Sequence, residues 1–351
     1  MSYLTQSKRI AVVGAGLAGS SCATSLQQAG VDVALFDKSR GVGGRMSTRR
    51  ASWIDAQGLP QSASFDHGAP WFSARQPRFR ALLDRARVAG CVQPWRPRVH
   101  ANWPAVLDSG GYVAVPDMPA LCRHLVAQVP LHLDHSVQRL QRASEGWFLA
   151  AAGGGLDGPF DHVMLALPPA QAAVLLAGHH DAWAESLLSL PVTPCWTLMA
   201  VTDDVDWPWD AAEPRRGPLQ RVVRNDRKPG RDAPPGCATW VAQATHEWSA
   251  AHLEDDPQTV TAALREALAQ LLPGHPAPRW HHSAAHRWRY ARATADMPVG
   301  QDCWWDQSLG LGVCGDFFGQ DELGAAWRSG DELADTVVAW LETVREPEEV
   351  A

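Results

Sequence analysis

Short apolar runs and longer amphipathic stretches alternate along this chain. Arg9 to Val13 (RIAVV) is apolar, β-branched and without polar alternation, the pattern of a parallel strand buried on both faces. Leu17 to Ala29 reads as a helix closed by Gly30, and Val31 to Phe36 (VDVALF) as a second strand ending at Asp37. Further along, Val129 to Gln141 reads as a strand region. Trp147 to Ala152 and Phe160 to Leu167 read as strands joined through Gly153-Gly154-Gly155. Val192 to Val201 and Cys237 to Ala244 are strand candidates, and Asp256 to Leu272 is the clearest amphipathic helix. Leu309 to Cys314 predicts a short strand before a helix from Leu323 through Trp340.

The turn after the first strand carries Gly14-Ala15-Gly16-Leu17-Ala18-Gly19. Gly14 suits the tight turn, Gly16 close approach of backbone to a pyrophosphate, and Gly19 close packing of helix on strand. The helix N-terminus then offers its N–H groups to the phosphates, and Asp37 an oxygen pair to a ribose. Strand, glycines, helix, strand and acid in this order indicate a Rossmann-type nucleotide site. NAD and FAD are both open on these residues alone.

With 351 residues the chain is long enough for two cores, since single cores stop growing near ~250–300 residues. A net charge of −7 argues against nucleic acid or anionic membrane as partner. The seven cysteines (Cys22, Cys91, Cys122, Cys195, Cys237, Cys303, Cys314) show no C-x-x-C spacing, which fits reduced thiols and a cytoplasmic location. Lys8-Arg9 before an apolar run imitates a signal peptide, but the run is broken by the glycines. No stretch of about 20 apolar residues is present.

The segment Lys38-Ser39-Arg40-Gly41-Val42-Gly43-Gly44-Arg45-Met46-Ser47-Thr48 resembles the extension after the ribose acid in the amine oxidase superfamily of flavoproteins. That resemblance implies FAD, with Lys38, Gly44, Arg45 and Met46 at the cofactor and Arg45 against its pyrophosphate, a pairing well suited to a guanidinium fork. It further places Val137 at the adenine, Gly68-Ala69-Pro70-Trp71 at the flavin and Gly315-Asp316 along the ribityl and phosphate chain. Gly324, Ala325 and Ala326 would open the last helix towards the flavin, where a helix N-terminus stabilises the charge of reduced flavin. Asp316 has a second reading as a simple helix cap. The expected fold is α/β: a Rossmann-type FAD-binding domain with a parallel sheet, discontinuous over 1–75, 112–175 and 285–345. An α+β substrate domain with a mixed or antiparallel sheet would occupy 76–111 and 176–284.

Five segments narrow the resemblance to bacterial members of the renalase family: Phe36–Arg49, Phe65–Phe72, Arg224–Arg231, Ala244–Glu254 and His286–Ala291. It implies an oxidase of the 2- and 6-dihydro isomers of NAD(P)H, with hydride passing to flavin N5, electrons to dioxygen, and hydrogen peroxide and NAD(P)+ as products. The partners implied are thus a small dinucleotide and dioxygen. No catalytic side chain is expected, because a dihydropyridine becomes aromatic as its hydride leaves and positioning is the main task. Trp71, Trp288 and Tyr290 are candidate pocket walls, Arg224 and Asn225 candidate substrate contacts, and Lys228 and Arg231 candidate phosphate contacts, with a solvated basic loop as the other reading.

Lysine usage bears on the rival, an amine or polyamine oxidase, since such enzymes generally place a lysine beside flavin N5 through a water. The chain has only Lys8, Lys38 and Lys228. Of these only Lys228, on a Pro-Gly loop expected to be mobile, could take that place. A flavin-binding protein without turnover is a further alternative. His67 reads as structural, and His179, His180, His281, His282 and His286 lack partners at metal-ligand spacing, so no metal is expected.

Overall fold

The computed structural model describes residues 8–99, 111–204, 207–271, 278–294, 300–319 and 322–345. Strand β1 (Arg9–Val13), helix α1 (Leu17–Gln28) and strand β2 (Asp32–Phe36) form the expected opening unit. The two strands run parallel from Arg9↔Asp32 to Val13↔Phe36. Gly14 turns the chain at φ +107°, where a Cβ would lie 2.4 Å from the Ala166 carbonyl oxygen. At Gly19 a Cβ would lie 1.8 Å from the Gly14 oxygen. Only glycine permits that helix to sit so low on its strand.

A hairpin of β3 (Arg49–Ile54) and β4 (Pro60–Phe65) follows, then α2 (Pro77–Val88), the pair β5 (Val92–Trp95) and β6 (Gly111–Ala114), and α3 (Ala120–Leu125). The single strand region expected over 129–141 is divided. Asp134, at φ 52°, turns the chain between β7 (Leu131–His132), which joins β2, and β8 (Val137–Ala143). Strand β8 opens an antiparallel meander with β9 (Gly146–Ala151) and β10 (Leu156–Phe160). Strand β11 (His162–Leu165) then lies parallel to β1 on its other side.

Helices α4 (Pro169–Leu176) and α5 (Asp181–Ser189) lead into an antiparallel sheet made from β12 (Val192–Asp203), β13 (Ala211–Ala212), β14 (Leu219–Arg224) and β15 (Cys237–Ala244). Helices α6 (His246–Ala251) and α7 (Pro257–Ala269) follow; Asp256 caps α7 by accepting from the Gln258 and Thr259 N–H groups. The sheet is completed by β16 (Trp280–Ala293), the longest strand at 14 residues, which runs against β12. The boundary expected at 285 falls inside β16, so the strand belongs to the antiparallel sheet. The chain finally returns with β17 (Trp304–Asp306), β18 (Leu311–Val313) and α8 (Glu322–Arg345).

The main sheet has the order β17-β18-β11-β1-β2-β7, and the second sheet β13-β14-β15-β12-β16. On one side of the main sheet α1, α3 and α8 share a core that continues into the antiparallel sheet. On the other side α4, α5 and the meander form a second core. The segments after β1, β2, β11 and β18 emerge at the same edge of the main sheet, where nucleotide ligands bind in open α/β folds.

His162, the first residue of β11, is 6% exposed and packs edge-on against Trp305 and Trp340, and among the described residues neither ring nitrogen has a hydrogen-bond partner. Burial pulls it down to about 4 from 6.5. A base depressed in the folded state leaves the unfolded chain binding more protons between those values, so stability present above pH 6.5 is lost as pH falls towards 4. The loss should reach on the order of 3 kcal/mol. His162→Phe should flatten that limb in urea titrations at pH 7, 6 and 5; an unchanged slope would show that His162 does not carry it.

Candidate active site

A cavity of about 980 Å³ runs from the β1–α1 turn to the antiparallel sheet. At its outer end Gly14, Gly16, Leu17 and Ala18 present the start of α1. A Cβ at Gly16 would meet nothing within 4 Å, so its face is open to the cavity. Asp37 is held in place by its own neighbours: one carboxylate oxygen accepts from the Ala15 N–H at 2.7 Å and the other from the Ser39 N–H at 2.8 Å. His135, Ser136, Val137 and Gln138 line the same end, with Lys38, which donates to Gln171 at 3.2 Å.

Midway, the Arg45 guanidinium meets the Asp316 carboxylate in a bidentate pair at 2.6 and 2.7 Å and also donates to the Ala291 carbonyl at 3.1 Å. Asp316 is therefore not a plain helix cap. Gly44, Met46, Gly315 and Ala326 line this section. Ala15 and Gly19 stand behind the wall, the first through its bond to Asp37 and the second through its packing on Gly14. Leu323 and Ala326, rather than Gly324 and Ala325, face the cavity from the first turns of α8.

At the inner end the wall is the segment His67-Gly68-Ala69-Pro70 facing β16, whose alternate residues His286, Trp288 and Tyr290 line the cavity. Three bonds clamp this segment: Trp288 Nε1 to the His67 oxygen at 2.9 Å, Gln243 Nε2 to the Gly68 oxygen at 2.8 Å, and the Ala69 N–H to the Arg45 oxygen at 2.8 Å. Gly68 has no room for a side chain, since its Cβ would lie 1.9 Å from the Arg45 oxygen. Cys195, Gln220, Arg221 and His246 complete this end. Burial, then His286 and Arg49, pull His67 down to about 4, so it is neutral near pH 7.

Four of the expected substrate residues lie elsewhere. Arg224, Asn225, Lys228 and Arg231 do not line the cavity. Arg224 is fully buried and bound to Asp204 at 2.6 Å and Asp226 at 3.1 Å. Asn225 bridges the Ser64 oxygen and the Asp66 N–H. Lys228 and Arg231 converge on the buried Asp66 carboxylate at 2.8 and 2.9 Å, and Thr48 donates to its other oxygen at 2.6 Å. The loop expected to be mobile is thus tied down by charge. Burial would push Asp66 up, but the two cations hold it below the usual carboxylate range, while burial lowers Lys228 to about 8. Trp71 also misses the lining; it packs on Trp95 and beneath the Arg221 guanidinium at 4.4 Å.

Residues 12–86 match the NAD(P)-binding Rossmann-like domain, and residues 103–337 match the family described as flavin containing amine oxidoreductase. The chain belongs to the flavin-containing amine oxidoreductases. Its cofactor is FAD, and the site fits it: an open Gly16 face at a helix N-terminus for phosphate, an oriented acid at the ribose position, and an arginine midway. Among solved structures, the protein designated a protoporphyrinogen oxidase in Exiguobacterium sp. 255-15 is 12% identical with a TM-score of 0.71, covering 95% of this chain and 99% of that one. Cyclohexylamine oxidase from Brevibacterium oxydans IH-35A is 13% identical at 0.67, covering 96% and 100%. A curated relative, the tRNA 5-methylaminomethyl-2-thiouridine biosynthesis bifunctional protein MnmC of Magnetococcus marinus, is 26% identical over 195 residues, 45% of this chain but only 29% of its own length.

Among the described residues no group of three or more His, Cys, Asp or Glu could hold a metal ion, and no helix is long and apolar enough to cross a membrane.

Arg45→Ala removes the cation midway along the cofactor and leaves Asp316 facing it alone; FAD retained per protein after dialysis should fall at least tenfold, and full occupancy would refute the role. Lys228→Ala strips one cation from a buried carboxylate and should cost about 3–5 kcal/mol in urea unfolding. Lys228 does not reach the cavity and acts on it only through Asp66 and the His67–Pro70 wall, so turnover per bound flavin in the folded fraction should fall without being abolished.

Proposed function

We propose that this chain is an FAD-dependent oxidase of the 2- and 6-dihydro isomers of NAD(P)H, releasing NAD(P)+. The observation that carries the reading is the charge of the cavity lining. Among the described residues its only carboxylates are Asp37 and Asp316, and both are already engaged, by backbone N–H groups and by Arg45. The lining also carries Arg221, Arg289 and Arg292, of which Arg221 faces Glu213 at 3.7 Å and Arg289 pairs with Glu254 at 2.8 Å outside the cavity lining. A protonated amine would find no unengaged carboxylate among the described lining residues, whereas the phosphates of a dinucleotide would compete with these acids for guanidinium groups, which suit phosphate geometry.

The lysines point the same way. Lys8 pairs with Asp161 at the surface, Lys38 stands at the ribose end, and Lys228 is enclosed with Asp66. None is available for a lysine-bound water at the inner end.

Bound FAD would supply the hydride acceptor and return the electron pair to dioxygen as hydrogen peroxide. The chain's own contribution is positioning. Trp288 and Tyr290 offer flat aromatic surface to a dihydropyridine ring. The clamped His67–Pro70 segment fixes the facing wall, and the N-terminal turn of α8 directs its dipole into the site. No side chain need remove a proton, since the ring gains aromaticity as the hydride departs.

An amine oxidase is the competing reading, favoured by the likeness to cyclohexylamine oxidase. Anaerobic mixing of the holoprotein with borohydride-reduced NAD, and separately with cyclohexylamine and putrescine, decides between them. The dihydro isomers should bleach the oxidised flavin band within the mixing experiment and amines should not. Bleaching by an amine alone would overturn the proposal.

A further inference from the structure

Two histidines at the inner end of the cavity carry an inference that rests on the dinucleotide reading and refines it. His67 is 6% exposed, and its Nδ1 lies 3.1 Å from the Ser47 carbonyl oxygen. A carbonyl only accepts, so Nδ1 carries the proton and Nε2 is left with a lone pair. Among the described residues no protein donor reaches that nitrogen, and the residue lines the cavity. His286 has the reverse arrangement. Its Nδ1 lies 3.3 Å from an Arg49 guanidinium nitrogen, which only donates, so Nδ1 accepts and Nε2 bears the hydrogen.

The two rings stand edge-to-face at 4.8 Å between centroids, and Trp288 packs on both. Burial and the positive charge of Arg49 keep both neutral near pH 7, which preserves one acceptor and one donor side by side. Their frames are rigid: Trp288 holds the His67 backbone, and His286 pairs with Thr197 across the β12–β16 ladder.

We propose that His67 and His286 together read the carboxamide of the nicotinamide ring, His67 Nε2 accepting from the amide NH2 and His286 Nε2–H donating to the amide oxygen. A primary carboxamide is the group that offers a donor and an acceptor in adjacent positions. A protonated amine, with donors only, would satisfy one histidine and leave the N–H of the other unmatched. The pair therefore acts in specificity and positioning, and no proton need be transferred by either ring.

Substrate analogues separate the two roles. Borohydride-reduced NAD and its 3-acetylpyridine counterpart share the carbonyl, but the second has a methyl in place of the NH2. Half-saturation concentrations for anaerobic flavin reduction would be measured for the holoenzyme and its variants, normalised to bound flavin. His67→Phe should raise the value about tenfold for the carboxamide and leave the acetyl analogue nearly unchanged; His286→Phe should raise both by similar factors. His67→Asn, which can keep the bond to Ser47 while lacking the cavity acceptor, should behave as His67→Phe does and guards against a folding defect. Equal effects of His67→Phe and His67→Asn on both analogues, or none on either, would overturn the assignment while leaving the oxidase reading intact. A parent enzyme reduced by neither mixture would overturn both.

Discussion

Much of this site depends on one buried carboxylate. Asp66 is fully enclosed, and an isolated charge there would be prohibitively costly. Lys228, Arg231 and Thr48 make it tolerable, and in doing so they join the end of the β4 hairpin, the loop after β14 and the segment after Arg45. Such a cluster is a weak source of net stability, because desolvation cancels much of the attraction. Its value is geometric. With Asp66 fixed, the next four residues leave in a set direction and are clamped by Trp288, Gln243 and Arg45 to form one wall of the cavity.

The Arg45–Asp316 pair has a complementary part. It lies within the cavity, is partly accessible and joins residues far apart in the chain. The first cluster is closed and holds structure; the second is open and able to exchange partners with a phosphate. Both use arginine and aspartate, and burial separates their roles.

The nucleotide end was legible because its requirements are local. Gly14, Gly16, Gly19 and Asp37 act within one strand-turn-helix-strand unit, so spacing along the chain reports spacing in space. The inner end was not. Cys195, Gln243 and His286 meet only through the pairing of β12 with β15 and β16, and nothing in one strand's sequence states that register. Strand β16 itself, WHHSAAHRWRYARA, lacks a clean apolar alternation because one of its faces borders the cavity, where aromatic and polar side chains are mixed. The basic segment Arg224–Arg231 misled for a related reason: a run of charge looks solvated until the buried acids that neutralise it, Asp66 above all, are known. Tryptophan content was equally ambiguous, with Trp147, Trp196, Trp207 and Trp240 fully buried and Trp288 on the site.

The threading of the main sheet bears on how the protein is made. Strands β1 and β2 are synthesised early, yet β18 and α8, which bring Asp316 and the final wall, are separated from Arg45 by about 270 residues of intervening chain. A nascent chain that has released β1, α1 and β2 thus presents the glycine-rich turn before β18 and α8 exist. The cofactor site therefore lacks the partner of Arg45 and its last wall until the C-terminal tenth of the chain is in place.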